Sequence, residues 1–208
     1  MSDKKGLTIV ANEAFEEAYE LLTTQDDWKE AKRNELGDIV MVKKNKRGKN
    51  IYKIRAMIDI SPEKLITALK DVGNSDKWNK TLKKLDIIED INDDIKVTYQ
   101  ITSEAGGVVS ARDFILVLKF GYKGDVYLQA ATSIEYPGLE KTKNMVRAWN
   151  YPGGLMVKSI TNEPSKSEFH WLIDCDLKGW LPASLVSVAM PFMQMQYVES
   201  IRELAKTL

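Results

Sequence analysis

The chain has 208 residues, 44% of them hydrophobic and 29% charged, which is the composition of a globular domain with room for a sizeable core. Thirty basic and thirty acidic residues leave no net charge, and this balance argues against nucleic acid as a partner, because phosphate contacts need a basic surplus. The single cysteine excludes an intramolecular disulfide and fits a reducing, cytoplasmic compartment. The sequence shows neither a secretion leader nor an apolar run of about 18 residues, so no membrane span is expected.

The first half of the chain mixes helical and strand patterns. Ser61 and Pro62 are typical of a helix N-terminus, since serine caps free N–H groups and proline suits the first turn. The basic loop 44–50 joins two strand-like segments; a solvated hairpin turn is the simpler interpretation, and contact with an anionic membrane is the other. In chain order the patterns predict a helix over 7–32 that breaks before Trp28, strands at 38–43 and 51–60, a helix from 61 to about 72 and a short helix that includes Trp78.

The second half is dominated by strands separated by short turns, as in an antiparallel meander. A long helix over 182–208 follows, with Pro182 in its first turn. Because no linker or repeat interrupts the sequence, we predict a single domain over 1–208 of the α+β class, in which a curved antiparallel sheet buries one face against the last helix. The predicted strands are 84–91, 95–103, 113–120, 126–134, 145–149, 155–160 and 168–176.

The last helix carries the most extensive apolar surface of the chain. A stripe at spacings of three and four residues has two interpretations: plain core, which such stripes form more often, or the wall of a ligand cavity. The methionines fit the second interpretation, since unbranched side chains adapt to irregular guests. Pro191 removes a hydrogen bond to residue 187 and should kink the helix. The stripe consists of Val186, Met190, Met193, Tyr197, Ile201 and Leu204.

No pattern in the sequence indicates a catalytic or metal centre. His170 is the only histidine, which excludes a histidine cluster for zinc, and no glycine-rich phosphate loop is present. Arg112 is the polar residue of most interest, because it begins a strand just after a loop of small residues. Arg112 either shapes that loop or offers one hydrogen-bonding point to a ligand. Because an arginine stays protonated, it cannot act as a general base. We therefore predict no enzyme, no metal and no cofactor.

Three motifs resemble those of the START domain, a lipid-transfer module: Ala-Arg-Asp-Phe at 111–114, Val-Arg-Ala at 146–148 and Asp-Leu-Lys-Gly-Trp-Leu-Pro at 176–182. The last is most similar to the subgroup that carries sterols or, in insects, carotenoids. The resemblance implies a helix-grip fold: a curved antiparallel sheet of about nine strands grips the long C-terminal helix, and an internal hydrophobic tunnel lies between them. It also implies that the loop 104–111 is a flap on that helix.

The resemblance also implies which residues contact a lipid. Sterol carriers of the subgroup share a buried acid–arginine pair, and an alignment without gaps on Arg-Asp-Phe puts Tyr99 and Leu118 at those two positions. Both charges are absent here, which implies a more apolar tunnel and makes a longer isoprenoid, such as a carotenoid, a candidate beside cholesterol. The ligand-binding residues implied are Tyr99, Arg112, Leu118, Asn150, Met190, Met193, Tyr197 and Ile201.

These features predict a non-enzymatic intracellular carrier that binds one isoprenoid lipid, a sterol or a carotenoid, and transfers it between membranes. We expect a cytoplasmic monomer that touches membranes only during exchange. Two alternatives stay open: a lipid-sensing module that acts on a partner protein, and an enzyme of the helix-grip fold. A carrier moves lipid between vesicles alone, a sensor needs a partner for any output, and an enzyme needs an acid–base group in the cavity.

Overall fold

The computed structural model describes residues 3–105, 107, 109–140 and 145–208. Within these ranges the strands are β1 (Lys29–Arg33), β2 (Ile39–Lys44), β3 (Asn50–Ile58), β4 (Leu82–Asn92), β5 (Ile95–Thr102), β6 (Arg112–Lys123), β7 (Val126–Ser133), β8 (Val146–Arg147), β9 (Trp149–Asn150), β10 (Gly153–Ser159), β11 (Ser167–Ile173) and β12 (Cys175–Asp176). Nine of them form one antiparallel path in the spatial order β1-β2-β3-β11-β10-β7-β6-β5-β4. The short β8 pairs in parallel with β6, and β9 pairs with β12.

The α-helices of the described ranges are α1 (Lys4–Thr23), α2 (Pro62–Lys70), α3 (Ser75–Trp78) and α4 (Ala183–Ala205). Local chemistry explains two of their N-termini. The Asp3 carboxylate accepts a hydrogen bond from the Gly6 N–H at 3.0 Å, and Ser61 caps α2, which begins at Pro62. None of these helices combines the length and the apolar character that crossing a bilayer requires.

The two faces of the sheet pack against different helices. On β6, Leu116 and Leu118 point to one face and join a core cluster with Ile201 of α4; we call this the inner face. Val117 points to the opposite, outer face and packs against Ala11 of α1. Each fully buried large apolar side chain contributes about 1.5–3 kcal/mol relative to an exposed one, so this alternation decides which helix covers which face.

Helix α4 is also held by buried polar contacts. The Gln194 Nε2 atom donates to the backbone oxygens of Tyr52 at 3.3 Å and Trp171 at 2.9 Å, which belong to neighbouring strands. One turn from its end, Arg202 donates to both carboxylate oxygens of the buried Asp38, at 2.7 and 2.6 Å. A two-pronged arginine–carboxylate contact fixes orientation as well as distance. The helix is therefore anchored at its middle and at its C-terminal end.

The predicted α+β class, the sheet of about nine strands and the closing C-terminal helix are confirmed. The prediction of helix over 7–32 is wrong beyond Thr23, because Lys29–Arg33 forms the first strand. All five residues of this edge strand are exposed, so its sequence lacks the alternation that identifies a half-buried strand. The strand predicted at 168–176 is interrupted at Asp174, whose carbonyl accepts the Tyr151 N–H at 2.7 Å.

Candidate ligand-binding cavity

A cavity lies between the inner face of the sheet and α4. Its volume of about 180 Å³ is smaller than the roughly 300–1,000 Å³ of typical small-molecule sites, so a lipid enters only if the walls move apart. Strands β5, β6, β7, β10 and β11 supply one wall and α4 the other. The apolar lining includes Leu116, Leu118, Ala131, Leu155, Trp171 and Met190.

Among the described lining residues, three side chains titrate: Arg112, Cys175 and Tyr197. Burial raises the pKa of the Cys175 thiol to about 12 and raises the pKa of the Tyr197 phenol, while it lowers the pKa of the Arg112 guanidinium. A proton donor or acceptor that works near neutral pH needs a pKa close to the operating pH. Neither the thiol nor the phenol meets this requirement.

Arg112 is enclosed at one end of the cavity, which we call the mouth. Its Nε atom donates to the Leu177 carbonyl at 2.7 Å, just before α4, and Nη1 donates to the Ser110 carbonyl at 2.8 Å. Nη1 also approaches the Ser110 hydroxyl at 2.7 Å and the Ala111 carbonyl at 3.3 Å. All of these acceptors are neutral. The guanidinium therefore ties the loop before β6 to the segment that leads into α4, which agrees with the loop-shaping interpretation of this residue.

The next residue along β6, Asp113, points to the outer face. One carboxylate oxygen, Oδ2, accepts from Arg147 Nε at 2.9 Å and Nη2 at 2.8 Å, and from the Tyr99 hydroxyl at 3.2 Å. The carboxylate is 1% exposed and the arginine side chain 11%, so this ion pair lies inside the protein. Its position on the outer face separates it from the cavity.

The structure brings six of the eight predicted site residues to the cavity wall: Arg112, Leu118, Asn150, Met190, Met193 and Tyr197. The Tyr197 ring packs on Trp171 with centroids 4.4 Å apart, and the Asn150 Nδ2 atom donates to the carbonyls of Ala131 and Tyr151. Ile201 of α4 is fully buried in the core and does not line the cavity.

Tyr99 also lies away from the cavity, and its placement argues against a ligand contact. Its neighbour Gln100 lines the wall instead, opposite Phe114 on β6. Successive residues of a strand point to opposite faces, so a gap-free alignment that is off by one residue exchanges an inner position for an outer one. The position facing the cavity is therefore Gln100.

Sequence reasoning missed two glutamines of the wall, Gln100 on β5 and Gln129 on β7. Strand alternation holds the signal that identifies them, because Gln129 is two residues before Ala131 and pairs with Phe120, both on the inner face. The predicted flap 104–111 falls partly outside the described residues, at 106 and 108. Ala105 and Val109, on either side, form an antiparallel bridge.

In the described part of the chain, no three His, Cys, Asp or Glu side chains lie close enough together to hold a metal ion. The lining therefore combines apolar side chains with amides, hydroxyls and one arginine. Such a surface can enclose a greasy molecule and make a few hydrogen bonds to it.

Comparisons with known proteins agree with this geometry. The family model described as START domain matches residues 9–207. The chain is 28% identical over 193 residues to the mitochondrial steroidogenic acute regulatory protein of Danio rerio, covering 92% of this chain and 68% of that protein. The Homo sapiens protein of the same name is 26% identical over 193 residues, with the same coverage. Human StAR-related lipid transfer protein 5 is structurally similar with a TM-score of 0.90 over 98% of both chains, at 21% identity, a level that speaks to the fold alone.

Proposed function

Because the chain belongs to the START domain family, we propose that it is a non-enzymatic carrier that binds one isoprenoid lipid, a sterol or a carotenoid, and transfers it between membranes. It works as a cytoplasmic monomer that meets membranes only during exchange. Membership of the START domain family supports this general activity, and the structurally similar human protein is named a lipid transfer protein.

The observation that carries this proposal is the chemistry of the cavity. Its wall is mainly apolar, and each CH₂ group of a ligand buried there contributes roughly 0.8 kcal/mol. The described lining residues include no carboxylate, lysine or histidine, and burial raises the pKa of the Cys175 thiol and of the Tyr197 phenol away from neutral pH. These features favour binding over catalysis and an extended apolar ligand over a charged one.

Membrane contact is proposed for the start of α4. Three apolar side chains there are exposed: Trp180 by 90%, Val188 by 67% and Phe192 by 42%. The loop between β2 and β3 lies beside this segment and is basic, as an anionic membrane surface requires. Four basic residues line the crevice between loop and segment, Lys44, Arg47, Lys49 and Lys178, together with Asp174 and Asp176, which pair with Arg47 and Lys178. The segment also follows Leu177, the residue held by Arg112, so contact there acts on the mouth of the cavity.

The first experiment identifies the lipid. Protein purified from a lipid-rich source is extracted, and the extract is examined by absorption spectroscopy and lipid mass spectrometry. A visible polyene band with a matching mass identifies a carotenoid carrier, and a colourless protein with a bound sterol identifies a sterol carrier. An extract without lipid, followed by failure to take up either class, contradicts the proposal.

The second experiment tests transfer between donor and acceptor vesicles with a blocked variant and a matched control. Ala131→Trp places a large ring inside the cavity, whereas Ala31→Trp adds the same ring to the exposed first strand. We expect Ala131→Trp to abolish lipid uptake and transfer and Ala31→Trp to retain both. A protein that binds lipid but moves none between vesicles favours the lipid-sensing alternative.

A further inference from the structure

Gln129 is a glutamine whose side chain has no hydrogen-bond partner in the described part of the chain. It lies on the inner face of β7, between Phe120 on β6 and Leu155 on β10, and it lines the cavity. Its Oε1 atom is fully enclosed and unpaired. No hydrogen bond is formed by its Nε2 atom either, and that atom keeps some accessible surface.

The other amides of the cavity wall differ in this respect. Gln100 donates from Nε2 to the Thr98 hydroxyl at 3.2 Å, and Asn150 donates to two backbone carbonyls. An amide enclosed without partners costs roughly 1–3 kcal/mol by mutational measurements, so such groups are rare in native proteins. Two residues earlier on the same face, the buried Tyr127 hydroxyl is also unpaired. Other buried side-chain atoms without a partner in the described residues, Asp113 Oδ1, His170 Nδ1 and Gln194 Oε1, lie elsewhere, but the Tyr127 hydroxyl and the Gln129 amide are neighbours on one strand face.

Gln129 lies at the far end of the cavity from Arg112. Phe120, which is level with Gln129, and Tyr127, two residues beyond it, are buried in the core and close this end. From Phe114, near the mouth, to Phe120 there are six residues of β6, which is roughly 20 Å along an extended strand. A ligand group that reaches Gln129 has therefore passed along the length of the cavity.

We propose that the Gln129 carboxamide binds a hydroxyl group at the leading end of the lipid. The inference rests on the proposed function and specifies its ligand class: hydroxylated isoprenoids, a sterol or a hydroxylated carotenoid, in preference to pure hydrocarbons. A hydroxyl group both donates and accepts, and a half-turn of the carboxamide presents either its oxygen or its nitrogen to the cavity. The lipid then lies with its hydroxyl end deepest and the remainder towards the mouth.

The test compares two pairs of lipids that differ only in their hydroxyl groups: cholestanol with cholestane, and zeaxanthin with β-carotene. Dissociation constants are measured for the wild type, for Gln129→Leu, and for Gln25→Leu, the same exchange at an exposed position outside the cavity. We expect the wild type to prefer the hydroxylated member of at least one pair by about tenfold, Gln129→Leu to lose this preference and Gln25→Leu to keep it. The melting temperature of unloaded Gln129→Leu should rise by about 2–4 °C, because an unpaired amide has been replaced by an apolar group.

A preference that survives in Gln129→Leu overturns the inference, and so does an equal loss in Gln25→Leu, because that residue lies outside the cavity. A fall in the melting temperature of Gln129→Leu shows that the amide stabilises the fold, and this result also overturns the inference. If Gln129→Leu does not fold, Gln129→Met gives the same comparison with an unbranched side chain. A wild type that binds none of the four lipids overturns the proposed function itself, whereas equal binding of all four overturns only the role of Gln129.

Discussion

The two faces of the sheet use polar residues in opposite ways. On the outer face, charged groups have partners: Asp113 is paired with Arg147, and Lys53 donates to the carbonyls of Leu22 at 3.2 Å and Thr24 at 3.0 Å, at the end of α1. On the inner face, the described lining residues of the cavity include no carboxylate, and Gln129 has no partner. The outer face also holds unpaired atoms, Asp113 Oδ1 and His170 Nδ1, but its charged contacts stabilise the fold, whereas the Gln129 amide of the inner face is the group that we propose for a ligand.

The largest expected effect comes from breaking the outer-face ion pair. Arg147→Leu leaves Asp113 buried without its counter-charge, and we expect the free energy of unfolding to fall by about 3–5 kcal/mol. Tyr99→Phe removes one hydrogen bond to the same carboxylate and should cost about 1 kcal/mol. Urea denaturation measures both. Lipid affinity should stay unchanged in Tyr99→Phe; a loss of binding there places Tyr99 in the ligand site after all.

The next effect concerns the mouth of the cavity. Arg112→Leu leaves the carbonyls of Ser110 and Leu177 without their donor, and we expect a loss of about 3 kcal/mol in urea denaturation. The rate of lipid release should rise as well, because the loop before β6 and the segment before α4 are no longer tied together. Arg112→Lys keeps the charge but not the planar fork, so it should release lipid faster than wild type too. If the rate of lipid release is unchanged in both variants, the hydrogen bonds of Arg112 do not hold the mouth of the cavity together.

A pH titration tests the outer face alone. Burial lowers the pKa of Lys53 from 10.5 to about 8, with Lys43 and Lys158 adding to the effect. Between these values the unfolded chain binds more protons than the folded one, so the free energy of unfolding rises with pH in this window. We expect a gain of about 1–2 kcal/mol from pH 7 to pH 9.5 in wild type relative to Lys53→Met. If the difference in free energy of unfolding between wild type and Lys53→Met does not change with pH, the lowered pKa of Lys53 is wrong.

The smallest expected effect is a change of ligand preference. Gln100→Glu with Leu118→Arg places an acid and an arginine on the inner face, four strand positions apart, roughly 13 Å between backbones that long side chains can span. We expect preference to shift from carotenoid towards sterol by about threefold to tenfold. Tyr99→Glu with Leu118→Arg is the matched control, since its acid faces outward. Competition between a sterol and a carotenoid for binding measures the shift in preference. If the two double variants show the same preference, the assignment of Gln100 to the inner face and Tyr99 to the outer face is wrong.

Local chemistry in the sequence predicted much of this fold. Ser61 and Pro62 marked the start of α2, and Pro182 immediately precedes α4. The exposed strand Lys29–Arg33 had no such signal, because its pairing with β2 depends on backbone contacts rather than on burial. Sequence pattern therefore identified elements with a buried face and missed one that has none.

The site was predictable in part for a different reason. Leu118 and Met190 were expected on the cavity wall from the family resemblance, and they line it. Whether Tyr99 or Gln100 faces the cavity depends on the register between β5 and β6, which are joined by the loop before β6. An alignment without gaps does not capture this register. The partner of Arg112, the Leu177 carbonyl, lies 65 residues away in the chain, and no local pattern indicates such a contact.

In the proposed carrier, the small cavity volume of about 180 Å³ bears on the rate of lipid exchange. Apparent affinity falls by the fraction of molecules that are open, since only those accept a lipid. After a lipid leaves, closure of the walls competes with its recapture from the membrane. In the proposed carrier, closure by itself gives transfer no direction, because the walls must open for loading as well as for unloading; net transfer therefore follows the difference in lipid chemical potential between the two membranes.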